Sequence, residues 1–198
     1  LLRRAAAWLA TGAFALNAVT GVQAAPPPAG TSISNQASAT YTDGSGVTRT
    51  VSSNVVQTTV QQVASLTLAQ NGAQTATPGS VVYYPHTLTN TGNGTDTFSL
   101  TTSTTGSAAM TNVTIYADNG SGQPTGPAIT STTALAAGAS FKFIVAATLA
   151  ATATATAGQT NTLTVTGTSN TDTGKTTTNT DTTTVTTNAV ITLTKAVS

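Results

Sequence analysis

Along most of the chain, apolar and polar residues alternate with a period of two, in short runs bounded by Gly, Asn, Asp and Pro. Such alternation marks strands with one buried and one wet face, and many short strands between turn clusters predict a β-sandwich. The runs Ser34–Thr42 and Val47–Val60 flank Asp43-Gly44-Ser45-Gly46, which reads as a hairpin turn. Ser65–Ala69 follows, with Leu66 and Leu68 on one face. Thr77-Pro78-Gly79 turns the chain into Ser80–Thr91, which carries Val81, Tyr83 and Leu88. Those three differ in parity. Pro85 cannot donate to a ladder, so it predicts an edge position or a bulge that switches the face. After the turn Asn90–Gly94, Thr95–Thr101 alternates Phe98 and Leu100, and Asn112–Tyr116 alternates Val113 and Ile115. Asp118–Pro127 reads as a Gly/Pro-rich loop. Ala139–Leu149 alternates Phe141, Phe143 and Val145, Thr160–Thr168 alternates Leu163 and Val165, and Thr176–Thr187 is nearly all Thr.

The expected core is therefore Leu66, Leu68, Val81, Tyr83, Leu88, Phe98, Leu100, Val113, Ile115, Phe141, Phe143, Val145, Leu163 and Val165. Burying each such side chain is worth about 1.5–3 kcal/mol before entropy is subtracted, enough for one sandwich and not two. A length of 198 residues agrees with one domain plus appendages.

The first 24 residues read as an address. Arg3-Arg4 is a basic start, Ala5–Ala15 is apolar apart from Thr11 and Gly12, and Val22-Gln23-Ala24 places small residues for cleavage before Ala25. This is the pattern of a secretory signal peptide. A membrane anchor is the rival, but the run is too short to cross about 30 Å of hydrocarbon and Asn17 interrupts its extension. Removing residues 1–24 leaves four basic and five acidic residues, a net charge of −1. Pro26-Pro27-Pro28 then acts as a stiff spacer. The missing initiator Met suggests a sequence that begins upstream.

An internal repeat frames the rest. Val60–Leu68 (VQQVASLTL) aligns without gaps to Val185–Leu193 (VTTNAVITL) at an offset of 125 residues. A Gly-containing hairpin and a Thr/Ser/Val strand precede each copy, at Gly44–Val60 and Gly174–Val185. Chance similarity in a Thr-rich chain is the competing explanation; against it, Leu/Ile-Thr-Leu stands at matched distance from Val and Ala. The expected organisation is a signal peptide at 1–24, a Pro-rich spacer and β-hairpin at 25–62, a sandwich at 63–187, and the first strand of a following repeat at 188–198. The hairpin would then close a domain whose other strands are absent. A lone hairpin is marginal in water, so it must pack on the domain, pair with another chain, or stay mobile.

Thr77-Pro78-Gly79-Ser80-Val81-Val82-Tyr83-Tyr84 and Thr87-Leu88-Thr89-Asn90-Thr91-Gly92-Asn93 resemble the domain-of-unknown-function-eleven family, the conserved repeat domain of bacterial cell-surface proteins. Leu135–Phe141 is similar to the turn before a late strand in such domains. Ile33–Ala37, Tyr41–Asp43 and Asn54–Val60 are similar to the hairpin between their repeats. The resemblance covers about residues 30–198. It implies an all-β fold with an immunoglobulin-like antiparallel β-sandwich, repeated in large exported envelope proteins. It implies no catalytic residue. Pro85-His86 departs from the family's uninterrupted strand.

Composition narrows the function classes. There is no Cys, no Glu and one His, while 49 residues are Thr. Disulfides, thiolate zinc sites, cysteine nucleophiles and multi-histidine metal sites are excluded. A near-neutral charge gives no footprint for nucleic acid. Thr favours strands because its β-branched side chain suits a pleated, half-buried surface. His86 beside Pro85 is expected at the surface or an edge, with no Gly-x-Ser-x-Gly elbow to serve it. Asp43, Asp96, Asp118, Asp172 and Asp181 are dispersed, mostly in expected turns. Only Asp118-Asn119-Gly120-Ser121-Gly122 faintly resembles a calcium loop, and an ordinary side-chain turn explains it better. A Lys–Asn crosslink needs a buried Lys; period two sends Lys142 to solvent if Phe141 and Phe143 face inward, and Lys175 sits in a turn. Thr176–Thr178 and Thr182–Thr184 read as a solvated face with cross-strand Thr pairs, rather than as a surface for ice, glycan or O-glycosylation.

No catalytic, cofactor-binding or metal-binding residue is assigned, and no cofactor is expected. The leading expectation is a non-catalytic exported structural module of a bacterial cell-surface stalk, filament or matrix, acting by spacing and β-strand pairing. Its expected partners are neighbouring repeats, copies of itself or a surface or matrix component, with no nucleic acid and no membrane span in the mature chain. The alternative is an adhesin-type module that recognises a glycan or protein through loops such as Asp118–Pro127.

Overall fold

The computed structural model describes residues 26–151 and 156–187, and among these it contains strands and no helix. The expected signal peptide at 1–24 and the expected opening strand at 188–198 lie outside the described residues. A Thr-rich chain with few charges has little to form helices with, and its β-branched side chains find room on pleated sheets.

Nine strands build two facing sheets. One sheet runs β10 (Thr125–Ala128), β9 (Met110–Ala117), β11 (Ser140–Leu149), β7 (Val81–Asn90), β5 (Leu66–Ala69). The other runs β6 (Ala73–Ala76), β13 (Thr176–Val185), β12 (Thr160–Ser169), β8 (Phe98–Gly106). The order β5-β7-β11-β9 opposite β8-β12-β13 is the A-B-E-D and C-F-G arrangement of an immunoglobulin-like sandwich. The opening strand changes sheets: β5 pairs antiparallel with β7, then β6 pairs parallel with β13. Ahead of the sandwich, β1 (Ser32–Asn35) pairs with β4 (Val56–Thr59), and β2 (Ser38–Thr42) pairs with β3 (Thr48–Ser52).

The core lies between the sheets. Leu88, Phe98, Leu100, Ile115, Phe143, Val145, Leu163 and Val165 are buried as expected, with Leu66, Leu68, Val113 and Phe141 packed at its margin. Val82, Tyr84, Leu135, Ala147, Leu149 and Val185 join them. Every member of this core belongs to the sandwich and none to β1–β4.

Two expected core residues are misplaced. Val81 is 47% exposed and Tyr83 is half-buried on the outer face. The register of β7 against β11 runs unbroken from Val81 to Thr89, so Pro85 makes no bulge there. Instead β5 reaches only Thr87–Asn90, and Pro85 stands where that side of β7 has no strand partner. With the parity constant, Val82, Tyr84, His86, Leu88 and Asn90 all face inward. Polar tips can point inward because β13 opposite offers inward polar positions at Asn179, Asp181 and Thr183. The Tyr84 hydroxyl lies 2.7 Å from Thr183 Oγ1 and donates to the Thr182 carbonyl at 3.0 Å. His86 Nε2 approaches Asp181 Oδ2 to 3.0 Å with both side chains wholly buried. The approach is off the line of a good hydrogen bond, so the two side chains meet by packing. Asp181 Oδ1 also accepts the Gly72 N–H at 2.7 Å. Position 72 must be Gly for this: a Cβ there would stand 2.5 Å from the Tyr84 ring and 2.9 Å from Asp181 Oδ1.

Two short strands were not foreseen. Neither β6, Ala-Gln-Thr-Ala, nor β10, Thr-Gly-Pro-Ala inside the expected loop, carries large apolar residues in alternation. The Thr runs form the expected cross-strand pairs on one face only, since Thr183 points inward and is buried. On one face of β12–β13, Thr160, Thr162, Thr164, Thr166 and Thr168 stand opposite Thr184, Thr182, Thr180, Thr178 and Thr176.

Burial holds the Tyr84 phenol above its ordinary value of 10.0, more than the Thr183 hydrogen bond lowers it. The folded state therefore favours the neutral phenol, and this contribution is complete below about pH 10 and lost as pH rises through the raised value. Tyr84→Phe is expected to cost about 1–3 kcal/mol at neutral pH, because it strips a buried hydrogen bond from Thr183. It is also expected to flatten the alkaline loss of Tm. Thermal melts of both proteins between neutral pH and strong base check both statements.

Candidate functional site

Residues 31–60 form one long two-stranded ribbon. Asp43-Gly44-Ser45-Gly46 turns its tip, as the sequence predicts, and Gly46 takes the positive φ of 83° the turn requires. Asp43 organises that turn. Its carboxylate accepts from Ser45 N, Ser45 Oγ, Val47 N and Arg49 Nε, the last at 2.6 Å. The hydrogen bond from Ser45, then that from Arg49, holds the Asp43 carboxyl well below the usual range. Halfway along, the Gln36–Ala37 stretch meets Ser53 through one backbone and two side-chain bonds, and the ribbon changes from the β2–β3 to the β1–β4 pairing.

Every residue in β1, β2, β3 and β4 is exposed. Ile33, Tyr41, Val47, Val51, Val55 and Val56 stand about half to two-thirds open to solvent. The ribbon's Asp43 and Arg49 neutralise each other. Neither strand therefore has the charges or prolines that keep natural sheet edges from pairing.

The root of the ribbon is held firmly. Asn93, in the turn between β7 and β8, is buried, and its side chain touches three points of the incoming and outgoing chain. Its Oδ1 accepts the Val63 N–H at 2.7 Å, and its Nδ2 donates to Gln61 O at 3.1 Å and Pro27 O at 3.3 Å. Ala29 N–H donates to Asn93 O at 2.9 Å, and Gln62 Nε2 to Thr95 O at 2.8 Å. Asn90 shapes the turn from within, bonding Gly94 O and Leu135 O. The expected turn residues thus double as the anchor of the ribbon, a role that no local pattern announces.

The titratable residues fall elsewhere. His86 is not at the surface, as expected, but inside the sandwich against Phe143, with ring centroids 5.2 Å apart. The constant parity of β7 puts it there. Asp96 and Asp181 are also buried rather than in exposed turns. Asp96 accepts from Thr97 N, Ser169 Oγ, Thr171 N and Thr171 Oγ1, tying the β12–β13 loop to the start of β8. Asp118 closes a local turn on Gly120 N and Gly122 N, and Asp172 one on Gly174 N. Lys142 and Lys175 are exposed, so neither has the burial a crosslink needs. Among the described residues no three His, Cys, Asp or Glu side chains gather as a metal site would, and no helix is long and apolar enough to cross a membrane.

No protein-family model matches the chain. No curated protein matches it either. Among solved structures, it is similar to a family 123 glycoside hydrolase from Clostridium perfringens at 12% identity and a TM-score of 0.40, covering 63% of this chain and 27% of that one. It is similar to the secreted serine protease VesC from Vibrio cholerae at 17% identity and a TM-score of 0.38, covering 61% and 23%. It is also similar to AggA, the major subunit of aggregative adherence fimbriae type I from Escherichia coli, at 15% identity and a TM-score of 0.28, covering 64% and 96%. The chain spans about a quarter of the length of the first two. None of these likenesses is close enough to carry an argument about function.

Asn93→Ala removes three contacts at once and frees the part-buried backbone groups of Val63, Gln61 and Pro27. It is expected to raise hydrogen exchange at Val63, Gly30 and Ala29 by about tenfold or more. Exchange at Phe143 and Leu163, in the sandwich core, is expected to stay nearly constant. Residue-resolved exchange by NMR separates the two regions.

Proposed function

We propose that this chain is a non-catalytic exported structural module of a bacterial cell-surface stalk, filament or matrix, which works by spacing its neighbours and pairing β-strands with them. One observation carries this reading: a 30-residue ribbon, rigidly rooted and uncharged overall, presents two bare edges and a row of exposed Val, Ile and Tyr. A two-stranded ribbon by itself is marginal in water, so these features suit a ribbon that docks on another β unit. Addition of strands to an open edge is a common mode of protein recognition.

The internal repeat supports the same reading. Carried back one strand, the offset of 125 residues places β4 on the last turn-free stretch of β13: Val56 on Asp181, Thr58 on Thr183, Val60 on Val185. In the sandwich those β13 residues are buried under β7 and β11. In the ribbon their counterparts Val56 and Thr58 are exposed, and Val60, at its root, is only partly buried. The ribbon is thus the counterpart of the closing hairpin β12–β13, offered to a neighbouring repeat or a second copy. The resemblance of Thr77–Tyr84 and Thr87–Asn93 to the conserved repeat domain of surface proteins, and the secretory pattern of residues 1–24, agree with an exported setting.

Deleting residues 31–60 removes no member of the core, so the sandwich is expected to fold without them. The intact chain is expected to self-associate on size-exclusion chromatography as its concentration rises, and the deleted chain to remain a monomer with nearly the same Tm. Equal association of both proteins would refute pairing through the ribbon.

A further inference from the structure

On β11 the odd-numbered residues Phe143, Val145, Ala147 and Leu149 face the core, so Ile144 and Ala146 point away from it. Yet Ile144 is 0% and Ala146 8% exposed. Their cross-strand neighbours explain this. Ala146 stands between Tyr83 of β7 and Thr114 of β9, and Ile144 stands beside Tyr116 of β9. A small residue flanked by large ones leaves a trough. The result is a groove of about 400 Å³, walled by Tyr83 and Tyr116, floored by Ala146 and bounded by Pro124 from the β9–β10 loop.

Aromatic residues are scarce in this protein, and most of those among the described residues are committed to the core. Tyr84, Phe98 and Phe143 are buried, Phe141 packs at the core margin, and Tyr41 belongs to the ribbon. The two remaining aromatic residues among those described share this one groove. Polar groups complete it. Asn112 lies where the β9 register shifts, with a φ of 52°, a conformation unusual for a residue other than Gly. Bulges of this kind re-aim side chains near binding sites. The Asn112 side-chain amide lines the groove, is exposed and makes no hydrogen bond among the described residues, and Thr148 adds a hydroxyl.

No charged side chain lines the groove. An ionic ligand would lose hydration without gaining a counter-charge. A purely apolar one would leave the Asn112 amide and the Thr148 hydroxyl unpaired, while Thr114 Oγ1 already donates to the Asn112 carbonyl. The size lies within the range of small-ligand sites. We propose that the Tyr83–Tyr116 groove binds a neutral saccharide, its C–H faces against the two rings and its hydroxyls on Asn112, Thr114 and Thr148. The groove is on the outer face of the sandwich, away from the ribbon, so this inference stands independently of strand pairing.

The test titrates the full chain with uncharged oligosaccharides of glucose, galactose and N-acetylglucosamine, following the Tyr83 and Tyr116 ring signals by NMR. Saturable shifts at both rings with at least one of these sugars are expected. Tyr83→Ala and Tyr116→Ala are each expected to weaken binding about tenfold, as loss of an aromatic anchor does. Asn112→Gly retains a residue at ease with positive φ, so it is expected to keep the Tm while weakening binding by about fivefold. Ala146→Leu, which points away from the core, is expected to abolish binding by filling the trough. The proposal is overturned by no shift at either ring with any of these sugars, by binding indifferent to Ala146→Leu, or by tighter binding of sulfated oligosaccharides. Occupation of the groove by a peptide of residues 31–60 in preference to the sugars would overturn it as well.

Discussion

The sandwich depends on a polar contact between its two sheets. The inward face of β13 carries Asn179, Asp181 and Thr183, where an ordinary sandwich would place apolar residues. Such a strand could not be buried against an apolar sheet without leaving its polar groups unpaired, at a cost of about 1–3 kcal/mol each. The inward face of β7 meets part of this demand: the Tyr84 hydroxyl hydrogen-bonds Thr183, while His86 packs beside Asp181 without a hydrogen bond, and Asn179 Oδ1 and Asp181 Oδ2 find no hydrogen-bond partner among the described residues. Gly72 adds a backbone donor to the same carboxylate as the chain passes from one sheet to the other. This contact fixes which side of β7 faces in, which strand lies opposite, and where the first strand crosses.

The same logic separates the two halves of the molecule. The hairpin β12–β13 is covered, its inward Thr183 hydrogen-bonded to Tyr84 of β7 and its apolar residues packed in the core. The ribbon is covered by nothing: Val56, Thr58 and their neighbours face solvent. An arrangement so costly in exposed apolar surface is understandable where a second β unit completes it. Asn93 holds the root of the ribbon to the turn at the end of the sandwich, so the ribbon's base is fixed even though its strands are uncovered.

Much of this was legible in the sequence, for physical reasons that differ by element. The strands β11 and β12 could be read to within a residue at their ends because Phe141, Phe143, Val145, Leu163 and Val165 alternate and place one face in the core. The ribbon was legible from its Asp-Gly-Ser-Gly turn and from the matched spacing before Val60 and Val185. The face of β7 was not. Counting apolar residues favours Val81 and Tyr83, whereas the buried set includes Tyr84 and His86, and their burial depends on partners about a hundred residues away. The buried places of His86, Asp96 and Asp181 were hidden for the same reason. Likewise β6 and β10 form because longer strands template them and not because their own residues favour it. The groove between Tyr83 and Tyr116 needs three strands in register around Ala146, which no single stretch reveals.

The central claim is that the ribbon is one half of a β interface. Hydrogen exchange at the amides of β1–β4, measured across a wide range of protein concentration, tests it most directly. The account predicts fast exchange in dilute solution and strong protection, confined to those strands, as copies come together. Exchange rates in β1–β4 that do not change with concentration while the protein associates would contradict it.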